Sequence, residues 1–136
     1  RALAQEGNYE FSFSGLKSAV LNYINSEKMK GYALHKADIA ASFQSAVVEV
    51  LVHKAFEAIR EAGRDTLVLA GGVAANKALE QRLRETAAAK GVRYLYPPPR
   101  LCTDNAAMIA CRGAYQAEAG RYSDLYLNAV PGLDFA

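Results

Sequence analysis

Thr66-Leu67-Val68-Leu69-Ala70-Gly71-Gly72-Val73-Ala74-Ala75-Asn76 decides how the chain is read. Its first five residues form a continuous apolar run between Asp65 and two glycines. Such a run marks a buried strand of a parallel sheet. Gly71-Gly72 ends it. Over residues 76–89 the pattern turns helical, with Leu79 and Leu83 on one face and Gln81, Arg84 and Glu85 toward water. Residues 92–96 read as a second short strand, stopped by Pro97-Pro98-Pro99, because proline brings no amide hydrogen to a ladder. A strand–helix–strand unit of this kind favours a parallel sheet with a right-handed crossover.

Upstream, Phe11-Ser12-Phe13-Ser14 alternates apolar and polar residues, as a short strand or extended entry does, and Gly15 breaks the alternation. Leu16, Val20 and Ile24 then share a helical face, with Ser14 placed to cap it, and residues 25–32 read as a polar connection. A longer helix is expected over 38–62, with Ile39, Phe43, Ala46, Val47, Val50, Leu51 and Ile59 at spacings of three and four. Asp38 is its candidate cap and Gly63 its left-handed stop. Downstream, a helix is expected over 103–119, with Met108, Ile109 and Cys111 on its buried side and Gly120 ending it. The rest, 121–136, reads as a docked tail. The order is helix, helix, strand, helix, strand, helix. Two strands are few for a complete α/β domain, so the chain is expected to be one part of a larger fold.

The chain has 136 residues, of which 51% are hydrophobic and 22% charged, enough apolar content for one folded domain rather than a disordered tail. Lys+Arg number 16 and Asp+Glu 14, so the net charge of +2 neither identifies nor excludes a nucleic-acid partner. Two cysteines, Cys102 and Cys111, build neither a disulfide framework nor a four-cysteine zinc site. No apolar run reaches the roughly 18–20 residues of a membrane span, and residues 1–9 do not form a signal peptide. The chain begins with Arg1, which fits a processed chain or an internal fragment.

Three segments could carry chemistry. In the first, glycines at 71 and 72 let a ligand approach the backbone, amides at the following helix start suit phosphate, and Asn76 both donates and accepts, as a ribose or base edge requires. The structural reading of the same residues is a tight turn capped by Asn76. The spacing is neither the dinucleotide-binding Gly-x-Gly-x-x-Gly nor the Walker loop. The second segment, 97–105, also follows the carboxyl end of a strand, where open α/β sheets place ligands. Asp104 there is a hard oxygen donor, but one carboxylate does not hold a metal alone. Its structural reading, or that of Thr103, is a helix cap. Cys102 reads as a small buried hydrophobe. The third segment is Phe11–Lys17, where Lys17 early in a helix opposes the macrodipole and invites an anion, against the alternative of a solvated lysine. His35 and His53 form no helical metal pair. Neither His-Glu-x-x-His nor Gly-x-Ser-x-Gly occurs.

Phe11-Ser12-Phe13-Ser14-Gly15-Leu16-Lys17, Gly71-Gly72-Val73-Ala74-Ala75-Asn76 and Cys102-Thr103-Asp104-Asn105-Ala106-Ala107-Met108-Ile109-Ala110 together resemble the C-terminal part of the universal TsaD family of tRNA N6-adenosine threonylcarbamoyltransferases. The motifs stand in family order, and the likeness runs over essentially all 136 residues. The Gly-Gly-Val…Asn element alone also occurs in related carbamoyltransferases; the tail favours the bacterial form.

The resemblance implies an actin/Hsp70-like fold of the ribonuclease H-like ASKHA class. Residues 1–136 would be a helix-rich α/β C-terminal lobe with a small parallel or mixed sheet, the N-terminal lobe being absent. It implies transfer of threonylcarbamoyl from threonylcarbamoyl-AMP to N6 of adenosine 37, giving t6A in tRNAs that read codons beginning with A. It places Asn76, Gly71 and Gly72 against the nucleotide and makes Asp104 one ligand of an iron or zinc ion whose two histidines lie upstream; His35 and His53 do not match them. Ser14 and Lys17 receive no chemical step. A TsaB-like paralogue, a TsaE-like ATPase and a cytoplasmic location follow for the complete protein, with no membrane. With its constellation incomplete, the chain alone is expected to be inactive. Rival readings are a non-catalytic interaction module, a glycoprotein endopeptidase, a label this family has carried, and another carbamoyltransferase of the superfamily.

Overall fold

A computed structural model describes Tyr9, residues 13–128, Val130 and Gly132. The elements are α1 (Phe13–Met29), α2 (Lys36–Glu61), β1 (Thr66–Val68), α3 (Lys77–Lys90), β2 (Arg93–Leu95) and α4 (Ala106–Glu118). Short 3-10 turns at Gly72–Ala75 and Pro99–Leu101 follow the two strands. The expected order of elements is therefore present, and the molecule is a helix-rich α/β structure on a two-stranded sheet.

The strands pair in parallel, Thr66 opposite Arg93, Leu67 opposite Tyr94 and Val68 opposite Leu95. The Leu69 amide extends the ladder to the Leu95 carbonyl at 3.0 Å. Alternation along a strand sends neighbours to opposite faces. Leu67, Leu69 and Tyr94 therefore meet α3 and α2, while Val68 is 62% exposed and Leu95 40% exposed on the other side. The expectation of a buried strand is half met. A parallel sheet needs cover on both faces, and the described residues cover one.

The core is the seam between α2 and α3. Val48, Val52 and Phe56 of α2 fall at spacings of four and pack with Leu79, Leu83 and Ala87 of α3, also four apart. Ile59, Val92 and Tyr94 close the cluster from the side. By length and composition α2 meets the criterion for a membrane span; in this structure its Val48, Val52 and Phe56 are buried in the seam. Gly63, at φ +59°, stops α2 as expected, with its amide on the Arg60 carbonyl. Gly91, at φ +67°, does the same for α3.

Several local expectations need correction. The entry strand is replaced at Phe13 and Ser14 by the start of α1; Phe11 and Ser12 lie outside the described residues. Ser14 is thus inside the helix rather than its cap. The helix continues through the supposed connection to Met29, because Asn25 to Lys28 are neither glycine nor proline and nothing breaks the ladder before Gly31. Helix α2 begins at Lys36, so Asp38 lies in its first turn and caps nothing; His35 holds the cap position without a side-chain bond. No residue of α4 is buried: Met108 is 48% and Ile109 66% exposed, and Cys111 is exposed. Periodicity identified a shared face there, but no described element lies over it. Cys102, by contrast, is buried as expected.

Tyr94 links core and sheet. Its hydroxyl is enclosed and finds no hydrogen-bond partner among the described residues, and the Arg84 guanidinium stands 5.6 Å from its ring centre. Burial, with the Glu80 charge added, pushes its pKa up to about 12. Because the folded value exceeds the unfolded one of 10.0, the stability it contributes is complete below pH 10 and is lost as pH rises toward 12. Two outcomes are expected. In a spectrophotometric alkaline titration Tyr94 ionises late, and Tyr94→Phe removes that late component. Leu83→Ala lowers the unfolding free energy in urea by about 2–5 kcal/mol, whereas Met108→Ala changes it by no more than about 0.5 kcal/mol.

Candidate functional site

Both parallel strands release their chains at the same end of the sheet, so the 71–76 turn and the 96–105 loop leave side by side. Gly71 takes φ 90°, ψ 173°, a region that is essentially glycine-only. Its identity is a backbone requirement. Gly72 differs: it has no positive φ, and a Cβ added there would meet nothing within 4 Å among the described residues. Among the described residues neither backbone strain nor crowding asks for glycine at 72.

Asn76 has a structural duty. Its Oδ1 accepts from the Ala78 amide at 3.0 Å and the Leu79 amide at 3.1 Å, an N-cap of α3. Those two amides are consequently not open to a phosphate, contrary to one possibility left by the sequence. The Asn76 Nδ2 donates to Gln44 Oε1 at 3.4 Å, a long bond on an exposed edge, so this amide keeps donor capacity. The capping and binding readings are thus compatible, because they use different atoms.

At the second loop the cap is Asn105. Its Oδ1 accepts from the Met108 amide at 3.0 Å, and its Nδ2 donates to the Thr103 carbonyl at 2.8 Å. The capping role considered for Thr103 or Asp104 is therefore filled by their neighbour. Asp104 is exposed and makes no hydrogen bond or ion pair with another described residue. Among the described residues no three His, Cys, Asp or Glu side chains gather as a metal site, so Asp104 has no second and third donor beside it there. His53 pairs with Glu57 at 3.3 Å instead. Ser14 and Lys17 lie exposed on α1, without a side-chain hydrogen bond or ion pair to another described residue.

The two loops are fastened to each other. Tyr96, one residue past β2, donates from Oη to the Ala74 carbonyl at 3.1 Å. Ala74 is 0% exposed. Burial and the adjacent Cys102 thiol raise the Tyr96 pKa. The Cys102 Sγ lies 3.8 Å from the Pro98 carbonyl and folds the second loop back on itself. Gln44, Tyr96 and Asn105 escaped the sequence reading. Only Asn105 carried a usable signal, as an asparagine directly before an apolar helical run.

Residues 1–111 match the sequence model of the family described as TsaD, tRNA N6-adenosine threonylcarbamoyltransferase. A protein of that name from Desulfitobacterium hafniense (strain Y51) is 53% identical over 136 residues, 100% of this chain and 40% of the relative. Its namesake from Clostridioides difficile (strain 630) is 51% identical over 133 residues, 98% of this chain and 39% of the relative. A third, from Staphylococcus aureus (strain Newman), is 45% identical over 134 residues, again 98% and 39%. The chain thus spans about 40% of the length of the curated relatives it matches. With the family model matched over residues 1–111 and relatives 45–53% identical over nearly the whole chain, the chain belongs to the TsaD family of tRNA N6-adenosine threonylcarbamoyltransferases.

Proposed function

We propose that this chain forms one wall of the adenylate cleft of a threonylcarbamoyltransferase acting on N6 of adenosine 37 in tRNA. The observation that supports this reading is the placement, at one end of a parallel sheet, of the Gly71-Gly72 turn beside an exposed carboxylate, Asp104, that bonds to no other described residue. Ligands of open α/β sheets bind at this end of the strands. The donor that fits this reading is threonylcarbamoyl-AMP, a mixed anhydride that is already activated. Within the ASKHA-type fold proposed for the complete protein, this chain is the helix-rich lobe with the small sheet.

Gly71 and Gly72 would let the nucleotide lie against backbone, and the Asn76 amide would donate to its ribose or base. The cleft would hold the adenosine amine against the carbamoyl carbon, gaining from proximity. The nitrogen forms the new C–N bond, the C–O bond to phosphate breaks, AMP leaves with the electron pair, and the amine releases a proton. Asp104 would be one ligand of an iron or zinc ion, the other donors coming from outside this chain. No chemical step is assigned to that ion. The complete protein would act in the cytoplasm on tRNAs that read codons beginning with A, beside a TsaB-like paralogue and a TsaE-like ATPase. The chain alone lacks the groups to catalyse transfer.

Tests use the complete polypeptide that carries this sequence. Gly72→Ala should leave the urea unfolding midpoint nearly unchanged yet weaken a non-hydrolysable threonylcarbamoyl-AMP analogue by about tenfold in calorimetry. Asn76→Ser keeps an acceptor for the cap and removes the amide; it should lose affinity to a similar extent. Unchanged affinity in both would refute the half-site. Asp104→Ala should lower metal stoichiometry without changing analogue affinity in metal-free buffer, and full metal content in that variant, read by elemental analysis, would remove Asp104 from the ligand set.

A further inference from the structure

The hydroxyl of Tyr96 is the link that fastens the glycine turn to the strand bearing the second loop. The turn spans only Gly72–Ala75, with Ala74 N bonded to Gly71 O and Asn76 N bonded to Val73 O. A piece this short has little stiffness of its own. The Ala74 carbonyl is enclosed by the protein, out of water's reach, so it depends on the partner it is given. That partner is aimed from behind. Glu80 accepts from Arg84 Nε at 2.8 Å, Arg84 stands over the Tyr94 ring, and the Tyr94 and Tyr96 rings run nearly parallel, 10° apart with centres 6.4 Å apart. The chain of contacts runs from the first turns of α3, through β2, to the turn that precedes α3.

We propose that Tyr96 is a positioning residue for the adenylate. Through the Ala74 carbonyl it holds the Gly71–Asn76 backbone in the one arrangement that faces the ligand. This rests on the nucleotide half-site proposed above. Tyr96 does not touch the ligand; it acts on how far the turn must be ordered when the ligand arrives. Removal of the hydroxyl leaves the ring stack in place and frees the turn. The cost then falls on adenylate capture, while the transfer step, once the adenylate is bound, proceeds as before.

The matched control is built into the chain. Tyr94, two residues earlier, carries a hydroxyl with no hydrogen-bond partner among the described residues, so Tyr94→Phe removes the same atom without removing a bond to any of them. In the complete polypeptide, Tyr96→Phe should raise amide hydrogen exchange at residues 72–76 at least about tenfold while Leu83 and Ala87 keep their protection. It should also raise KM for threonylcarbamoyl-AMP by about tenfold with kcat within about twofold. Tyr94→Phe should do neither. Unchanged exchange at 72–76 overturns the positioning role whatever the ligand is. Faster exchange with unchanged KM overturns its functional half. Exchange rising throughout α2 and α3 shows a general structural role and likewise overturns it. If the parent protein fails to bind the adenylate, the half-site itself falls, and the exchange result still decides whether Tyr96 holds the turn.

Discussion

The seam between α2 and α3 is the constraint on which the other elements depend. Val48, Val52 and Phe56 meet Leu79, Leu83 and Ala87, and the sheet joins them by one face only. Helices α1 and α4 bury no side chain in the chain described. Stability is therefore concentrated in a small block: two helices, two three-residue strands and the turns between them. Burial of apolar area scales the hydrophobic gain, and the buried apolar cluster is confined to this block. The candidate site sits on the rim of this block, where loops leave it. It inherits rigidity from the seam through α3, whose first turn Asn76 caps.

Some of this was legible in the sequence because it is local. An apolar pentapeptide followed by two glycines and a helical stripe specifies strand, turn and helix with little help from elsewhere, and the parallel pairing of Thr66–Val68 with Arg93–Leu95 agrees. Gly63 and Gly91 ended their helices in the left-handed conformation that glycine permits. What sequence could not supply was the identity of the neighbour. Met108, Ile109 and Cys111 share a stripe, but a stripe states only that a cover would be useful. The same holds for Val68 and Leu95 on the bare face of the sheet. A chain that spans about 40% of its relatives' length leaves such faces open for a physical reason: apolar periodicity encodes a demand for burial without naming who meets it.

At the candidate site the division is finer. The sequence pointed to Asn76, Gly71, Gly72 and Asp104 but could not separate a structural use from a binding one. Geometry shows which atoms carry a structural use. Gly71 is explained by its backbone angles, Gly72 is not. The Asn76 carbonyl oxygen is committed to α3, its amide only weakly to Gln44. Asp104 is released because Asn105 does the capping. Tyr96 was invisible beforehand, since an aromatic at a strand end carries no sign of the carbonyl, 22 residues back, that it will reach.

The contrast between the two cysteines has a practical consequence. Cys102 is folded under the second loop, and Cys111 stands exposed on α4. Thiol reagents act on the accessible thiolate, so the native sequence offers one addressable sulfur and shields the other. That sulfur sits on the helix whose apolar side chains are uncovered. A fluorophore or spin label attached there needs no engineered residue. It would report directly on whatever comes to lie over α4, while the glycine turn and its carboxylate neighbour remain unmodified.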